Sequence, residues 1–201
     1  MAGSLGTCAC SDTNRSRDAQ VMSIPQIPDP ARLVISVLSP RRAAAEPALA
    51  QLAGKLGPLE EEVGPLEFPF TSYYDAEMGP GIKRWLWVFR NLVDRGEIAD
   101  TKRLTNEIEQ AYIQGGKRVF NLDPGLLTLE NFVLATGKNR AHRIYVGKGI
   151  FADLTLTYEK GTYRPLPWTY PDYADSEMIA VLNRLRESYK SLLMQQCGRI
   201  E

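Results

Sequence analysis

"GIKRWLWVFRNLV", residues 81–93, is the stretch whose reading decides the fold. Ile82, Trp85, Leu86, Phe89, Leu92 and Val93 fit the apolar stripe of a helix, whereas the bulky Trp85, Trp87 and Phe89 also alternate as they would along a strand. Aromatic side chains favour the pleated surface of a sheet, so a strand is expected. A strand here lets the flanking segments complete a pattern. "RLVISVL" (32–38) is a nearly continuous apolar run with β-branched residues, as in a buried central strand. Pro47 sits where a first helical turn tolerates it, Leu49, Leu52 and Leu56 recur at helical spacing, and Gly57 closes that helix. Residues 59–70 read as extended, broken by Gly64-Pro65. From Glu97 to Ile113, Ile98, Leu104, Ile108, Ala111 and Tyr112 line one helical face, and Gly115-Gly116 ends it. "RVFNLD" (118–123) then reads as a strand.

Strand, helix, strand, strand, helix, strand is the ferredoxin-like or split βαβ order. A β-rich section follows, with "FVLAT" (132–136) and "HRIYV" (142–146) as strands. In "IFADLTLTY" (150–158), Ile150, Ala152, Leu154, Leu156 and Tyr158 alternate with polar residues, as in a half-buried antiparallel strand. "EKGT" (159–162) supplies a hairpin turn. A last helix starts after Asp175, a suitable N-cap, with Met178, Val181, Leu182, Leu185, Tyr189 and Leu192 facing inward. The expectation is therefore an α+β chain: a ferredoxin-like βαββαβ core extended by an antiparallel β-meander and a C-terminal helix, forming a single domain over 31–195. Residues 1–30 are polar and proline-punctuated and read as a disordered leader, with Met22 an alternative start.

Composition removes several functions. Lys+Arg and Asp+Glu both number 24 in the 201 residues, a balance that argues against general gripping of a nucleic-acid backbone. No apolar run approaches the roughly 18 residues that span a bilayer, and the first twenty lack a signal-peptide core. Cys8, Cys10 and Cys197 form neither a disulfide framework nor a zinc pattern. The expected setting is cytoplasmic, away from membrane. There is no cysteine suited to nucleophilic catalysis and no elbow for a serine triad.

Four polar segments remain. "TSYYDAEMG" (71–79) brings Tyr74, Asp75 and Glu77. Lys102, Thr105, Asn106 and Glu109 share one face of the middle helix at i, i+3, i+4, i+7. Asn121 and Asp123 share a strand face. "TGKNRAHR" (136–143) and "WTYPDY" (168–173) contribute Lys138, Arg140, His142, Arg143, Tyr170 and Asp172. Asp123-Pro124-Gly125 has the residue preferences of a type I or II turn, which would put Asp123 at a strand end. Each feature also has an ordinary structural reading: a plain turn, a hydrogen-bonded histidine, a solvated basic loop.

The motifs "YYDAEMG", "TNEIE", "NLDPG", "LATGKNRAHRIYVGKGIFADLTL" and "WTYPDY", in this order, resemble the bacterial and archaeal family known as domain of unknown function 4416, over approximately residues 31–190. The family's signature tends to read Asn-x-Asp-Pro-Gly-Tyr, and this chain departs from it with Leu126 in place of the tyrosine. Some members bear a GTP-binding label. This chain has no GxxxxGK[ST] phosphate loop, and "GKGI" (147–150) lacks its spacing.

The residues themselves point to binding of an anionic small molecule, such as a nucleotide or phosphorylated metabolite. Lys138, Arg143 and His142 would neutralise or hydrogen-bond the anion. Asn106, Asn121 and Asp123 would fix polar groups, with Tyr74, Asp75 and Asp172 closing the rim. One alternative is magnesium-assisted phosphoryl or phosphodiester chemistry, with Asp123 or Asp75 as metal ligand and His142 as acid or base. The other is a non-catalytic protein–protein interaction or assembly module, a homo-oligomer paired through a sheet edge. Convergence of the four segments on one cleft separates a site from a module.

Overall fold

Every residue of Ala31–Ser39, the first strand (β1), is buried. A strand covered on both faces needs apolar residues at odd and even positions alike, which explains its unbroken hydrophobic run. The computed structural model describes residues 25–69 and 74–197. Most of the expected leader, with Met22, Cys8 and Cys10, lies outside the described residues, as do residues 71–73 of the first polar segment.

A 3-10 turn (Arg42–Ala45) and α1 (Glu46–Leu56) follow β1, then β2 (Leu59–Glu67), α2 (Asp75–Met78), β3 (Lys83–Val93), α3 (Ile98–Ala111), β4 (Asn121–Leu127), β5 (Asn131–Thr136), β6 (Arg143–Gly147), β7 (Ile150–Glu159), β8 (Thr162–Pro165), α4 (Pro171–Ala174) and α5 (Ser176–Cys197). The ambiguous stretch 81–93 is a strand, β3. Its helical stripe was an accident of burial. Arg84 to Phe89 are buried on both faces of the sheet, so apolar residues fill both alternations.

The strands lie in the order β2-β3-β1-β4-β5-β7-β6, with β8 beside β7, and the pairings are antiparallel. β1 and β2 thus run parallel with β3 between them. Odd residues of β1 and β3 (Leu33, Ile35, Val37, Trp85, Trp87, Phe89) pack beneath α1 and α3 with Leu52, Ile98 and Ile108. Even residues (Val34, Leu86, Val88) meet Phe132, Leu156, Tyr163 and the inner face of α5. Full burial of each such side chain contributes about 1.5–3 kcal/mol, so the two layers dominate stability. Asp175 Oδ1 accepts the Glu177 N–H at 2.9 Å and caps α5. The inner face of that helix ends on Leu193 rather than the expected Leu192, because Leu185, Tyr189 and Leu193 keep the i, i+4 spacing. No described helix is long and apolar enough to cross a membrane.

One expectation is overturned. Asp123-Pro124-Gly125 makes no turn and runs through the interior of β4, whose seven residues all pair with β1, from Leu38↔Asn121 to Arg32↔Leu127. On its other edge β4 pairs with β5 only over Gly125–Leu127. Ahead of that point two side chains of α3 stand in for the missing strand: Glu109 Oε1 accepts the Leu122 N–H at 2.9 Å, and Lys102 Nζ donates to the Leu122 carbonyl at 2.8 Å. Pro124 faces the same edge two residues later and has no N–H left to satisfy. Gly125 is needed for contact, since a Cβ there would lie 2.6 Å from Cζ of Phe132. Residues that usually punctuate a turn here mark where the sheet divides.

Candidate functional site

Where β5 leaves β4 a cleft of about 760 Å³ opens, within the range of small-ligand sites. Its floor is set by strand register. Arg84 on β3, Leu38 on β1 and Asn121 on β4 stand side by side, and Leu86, Ser36 and Asp123 form the next row. α3 contributes Lys102, Asn106 and Glu109 to one wall; the opposite wall carries Thr136, Gly137, Lys138, Arg143 and Asp153. Phe68, Tyr74 and the segment Tyr170, Pro171, Asp172, Tyr173 complete the lining.

The charges are arranged in pairs. Lys102 Nζ donates to Asp123 Oδ1 at 2.9 Å and lies 3.9 Å from Glu109. Asn121 Nδ2 donates to Asp123 Oδ2 at 2.5 Å. Burial alone would raise the Asp123 carboxyl, but Lys102, Asn121 and Arg84 together hold it below the usual carboxylate range. Glu109 goes the other way: burial pushes its carboxyl up, and the nearby Asp123 charge adds to this, against the opposing pull of Lys102. Arg118 grips both Glu77 oxygens at 2.7 and 2.6 Å and reaches Asn121 Oδ1 at 2.6 Å and Glu109 at 3.1 Å. That guanidinium lowers the Glu77 carboxyl, with a smaller contribution from Lys138. Burial raises the Tyr74 phenol, and the Asp123 charge raises it further, so Tyr74 stays a neutral donor.

Arg143 is consumed by its neighbours. Its Nε donates to Asp153 at 2.8 Å, Nη1 to the Lys138 carbonyl at 2.8 Å and Nη2 to the Tyr170 hydroxyl at 2.9 Å. It thereby ties the 138 loop to the 170 segment. Arg84 is different. Only 3% exposed, it gives Nη2 to Asp172 and lies against the rings of Phe68 and Tyr173, 4.9 and 4.6 Å from their centroids. Its Nε and Nη1 have no hydrogen-bond partner among the described residues.

Of the residues expected from the sequence, Tyr74, Asn106, Asn121, Asp123, Lys138, Arg143 and Asp172 line this one cleft. Asp75 and His142 do not line it. Asp75 is exposed and accepts the Gly79 N–H through its carbonyl at the end of α2. His142 stacks on Trp168, centroids 5.4 Å apart, with Nε2 3.5 Å from Asp153. It thus touches Asp153, a residue of the lining, without lining the cleft itself. Among the described residues no three of His, Cys, Asp and Glu gather as a metal ion would require.

Arg84, Arg118 and Asp153 line the cleft without having been singled out in the sequence. Arg84 had a signal, a charge inside the run that reads as the most buried strand after β1. Asp153 sits on the side of "IFADLTLTY" expected to be wet, yet it and Thr155 are buried. Leu126, the departure from the family signature, is buried among the residues beneath α1 and α3, and by strand alternation it faces away from Asp123.

No curated protein and no solved structure matches the chain. The family model described as "domain of unknown function (DUF4416)" matches residues 29–189, and the chain belongs to that family.

Proposed function

We propose that this protein binds an anionic small molecule, a nucleotide or phosphorylated metabolite, in the cleft beside β4 on its ferredoxin-like core. The observation that carries this reading is convergence. Segments separated by up to a hundred residues place Tyr74, Arg84, Asn106, Asp123, Lys138 and Asp172 around one open space of about 760 Å³, and buried polar groups serving structure alone need no such opening. Five basic side chains line it (Arg84, Lys102, Arg118, Lys138, Arg143) against four acidic ones (Glu109, Asp123, Asp153, Asp172). Thermal-shift screening of the chain against inorganic phosphate, sugar phosphates and nucleotides tests it. A ligand at 100 times its Kd adds about 2.7 kcal/mol, a rise of roughly 5–10 °C at this size. The rise should vanish in Lys138→Ala. A flat panel refutes the proposal.

A second surface favours pairing between copies of the chain. β6 is an edge strand on which Ile144, Tyr145 and Val146 are 71%, 61% and 37% exposed. The opposite edge, β2, carries Glu60, Glu61, Glu62 and Pro65, the usual guards against strand addition. An unguarded apolar edge suits an antiparallel β6–β6 contact about a two-fold axis.

A further inference from the structure

On the reading just proposed, we infer that the cleft takes a phosphorylated compound carrying a vicinal hydroxyl pair, such as the phosphate of a riboside, with Asp123 receiving the hydroxyls and Arg84 with Lys138 the phosphate. The part given to Arg84 follows from which of the other buried cations are already occupied. Lys102 holds the Leu122 carbonyl and Asp123 and has Glu109 within 3.9 Å. Arg118 holds Glu77, Glu109 and Asn121. Arg143 holds Asp153, the Lys138 carbonyl and Tyr170. Arg84 alone among the buried or half-buried cations of the lining keeps two nitrogens, Nε and Nη1, without a partner among the described residues.

A guanidinium carries five N–H donors in a planar fork that matches phosphate oxygens. In Arg84 the Phe68 and Tyr173 rings lie against the guanidinium and Asp172 takes Nη2, which leaves Nη1 and, on the other side, the Nε–H, each able to give a bond to an anion oxygen. Those atoms are shielded from water, so a phosphate oxygen reaching them displaces a side chain packed over the guanidinium. Lys138 is exposed on the wall above.

Asp123 is suited to the other end. Its two oxygens offer about four lone-pair sites, and each has accepted one hydrogen bond, from Lys102 and from Asn121. Its side chain remains 33% exposed, so about one site per oxygen faces the cleft, the pattern that two adjacent hydroxyls fill. A cation at this carboxylate would have to displace the Lys102 ammonium at 2.9 Å, and a phosphate would meet like charge. Asn106, one helical turn beyond Lys102 and exposed on the same wall, both donates and accepts, as hydroxyl recognition requires. Arg84 and Asp123 lie two strands and two residues apart in register, about 12 Å between Cα atoms at standard sheet spacings. With one long side chain closing that gap, the span fits a sugar ring between phosphate and hydroxyls.

Calorimetry on the full chain with matched probes tests the inference: inorganic phosphate, ribose, ribose 5-phosphate, 2-deoxyribose 5-phosphate, and the ribo and 2′-deoxy forms of adenosine 5′-monophosphate. Each ribo compound with a phosphate should bind at least tenfold more tightly than its deoxy partner, because a site built to bond a hydroxyl rejects its absence. Asp123→Asn should erase that ratio while leaving deoxy binding in place, and Arg84→Gln should weaken phosphate-bearing probes whichever sugar they carry. Ribo and deoxy probes that bind equally well overturn the hydroxyl assignment and leave the anion reading standing. Ribose binding as tightly as ribose 5-phosphate overturns the phosphate assignment. If neither phosphate nor any phosphorylated probe binds, this inference and the anion reading fall together. The ribo/deoxy comparison on the unmodified protein decides the matter even if a variant fails to fold.

Discussion

Replacing Arg84 and Asp172, singly and together, tests whether this pair serves the cleft or the fold. The side chains are 4% and 11% exposed and joined through Nη2. Two buried guanidinium nitrogens without partners among the described residues cost about 1–3 kcal/mol each. The two rings against the guanidinium return about 0.5–2 kcal/mol each. The rings thus offset part of that cost, and the attraction to Asp172 is largely offset by the desolvation of both charges. The pair should therefore add little net stability while making either partner indispensable to the other. Arg84→Met alone, or Asp172→Leu alone, strands a buried charge and should lose about 3–5 kcal/mol, lowering Tm by roughly 6–20 °C. The double variant Arg84→Met/Asp172→Leu should return to within about 1 kcal/mol of the parent or exceed it. Urea titrations followed by circular dichroism give all four corners of the cycle, with an unchanged m-value as the check on two-state behaviour. A double variant that loses the sum of the two singles would show that the charges do not depend on each other, and the reasoning would fail. A stable double variant that no longer answers to phosphate would assign the pair to the site.

Gly125→Ala should lose about 1–2 kcal/mol by urea titration, since overpacking against Phe132 costs about 1–3 kcal/mol and the stiffer unfolded chain returns about 0.4–1 kcal/mol; Phe132→Leu should recover most of it, and a neutral Gly125→Ala would mean a looser β4–β5 contact. Glu109 has a raised carboxyl, so its folded form binds the proton more readily than its unfolded form, and the parent should gain stability over Glu109→Gln as pH falls from 7 toward about 4.5. Asp123 has the opposite sign: its lowered carboxyl adds stability that is complete above its ordinary value near 4 and is lost as pH falls below that, so Asp123→Asn and parent should converge in strong acid. Light scattering at rising concentration should show association through β6 that Tyr145→Lys abolishes, and a parent monomeric throughout would remove that interface.

The element order was legible because each core element carries its own period, and strand-to-strand crossovers of this kind leave few alternatives. The exceptions have physical causes. A strand buried on both faces loses its alternation, which made residues 81–93 ambiguous. Asp-Pro-Gly carries turn preferences that operate in isolation; β1 on one edge and the side chains of α3 on the other overrode them. The polar lining was legible where unlike residue types clustered, as in Asn121 with Asp123 or Lys138 with Arg143. It was hidden where a single charge sat in an apolar run, as Arg84 does, or on a strand face expected to be wet, as Asp153 does. His142 drew notice as the sole histidine, a fact of composition; the fold gave it Trp168 to stack on and kept it out of the cleft lining.

The use of Glu109 and Lys102 in place of a neighbouring strand has a consequence for amide exchange. Amides of Val34–Leu38, bonded within a strand that has sheet on both sides, should exchange with solvent deuterium only when the whole chain unfolds. The Leu122 amide sits in the adjacent strand but is secured by the carboxylate of a helical residue, so it should exchange whenever α3 loosens at that turn, a smaller and more frequent opening. Within one central strand, then, protection is set partly by a side chain, and the exchange rate at Leu122 reads the docking of α3 against the cleft independently of global stability.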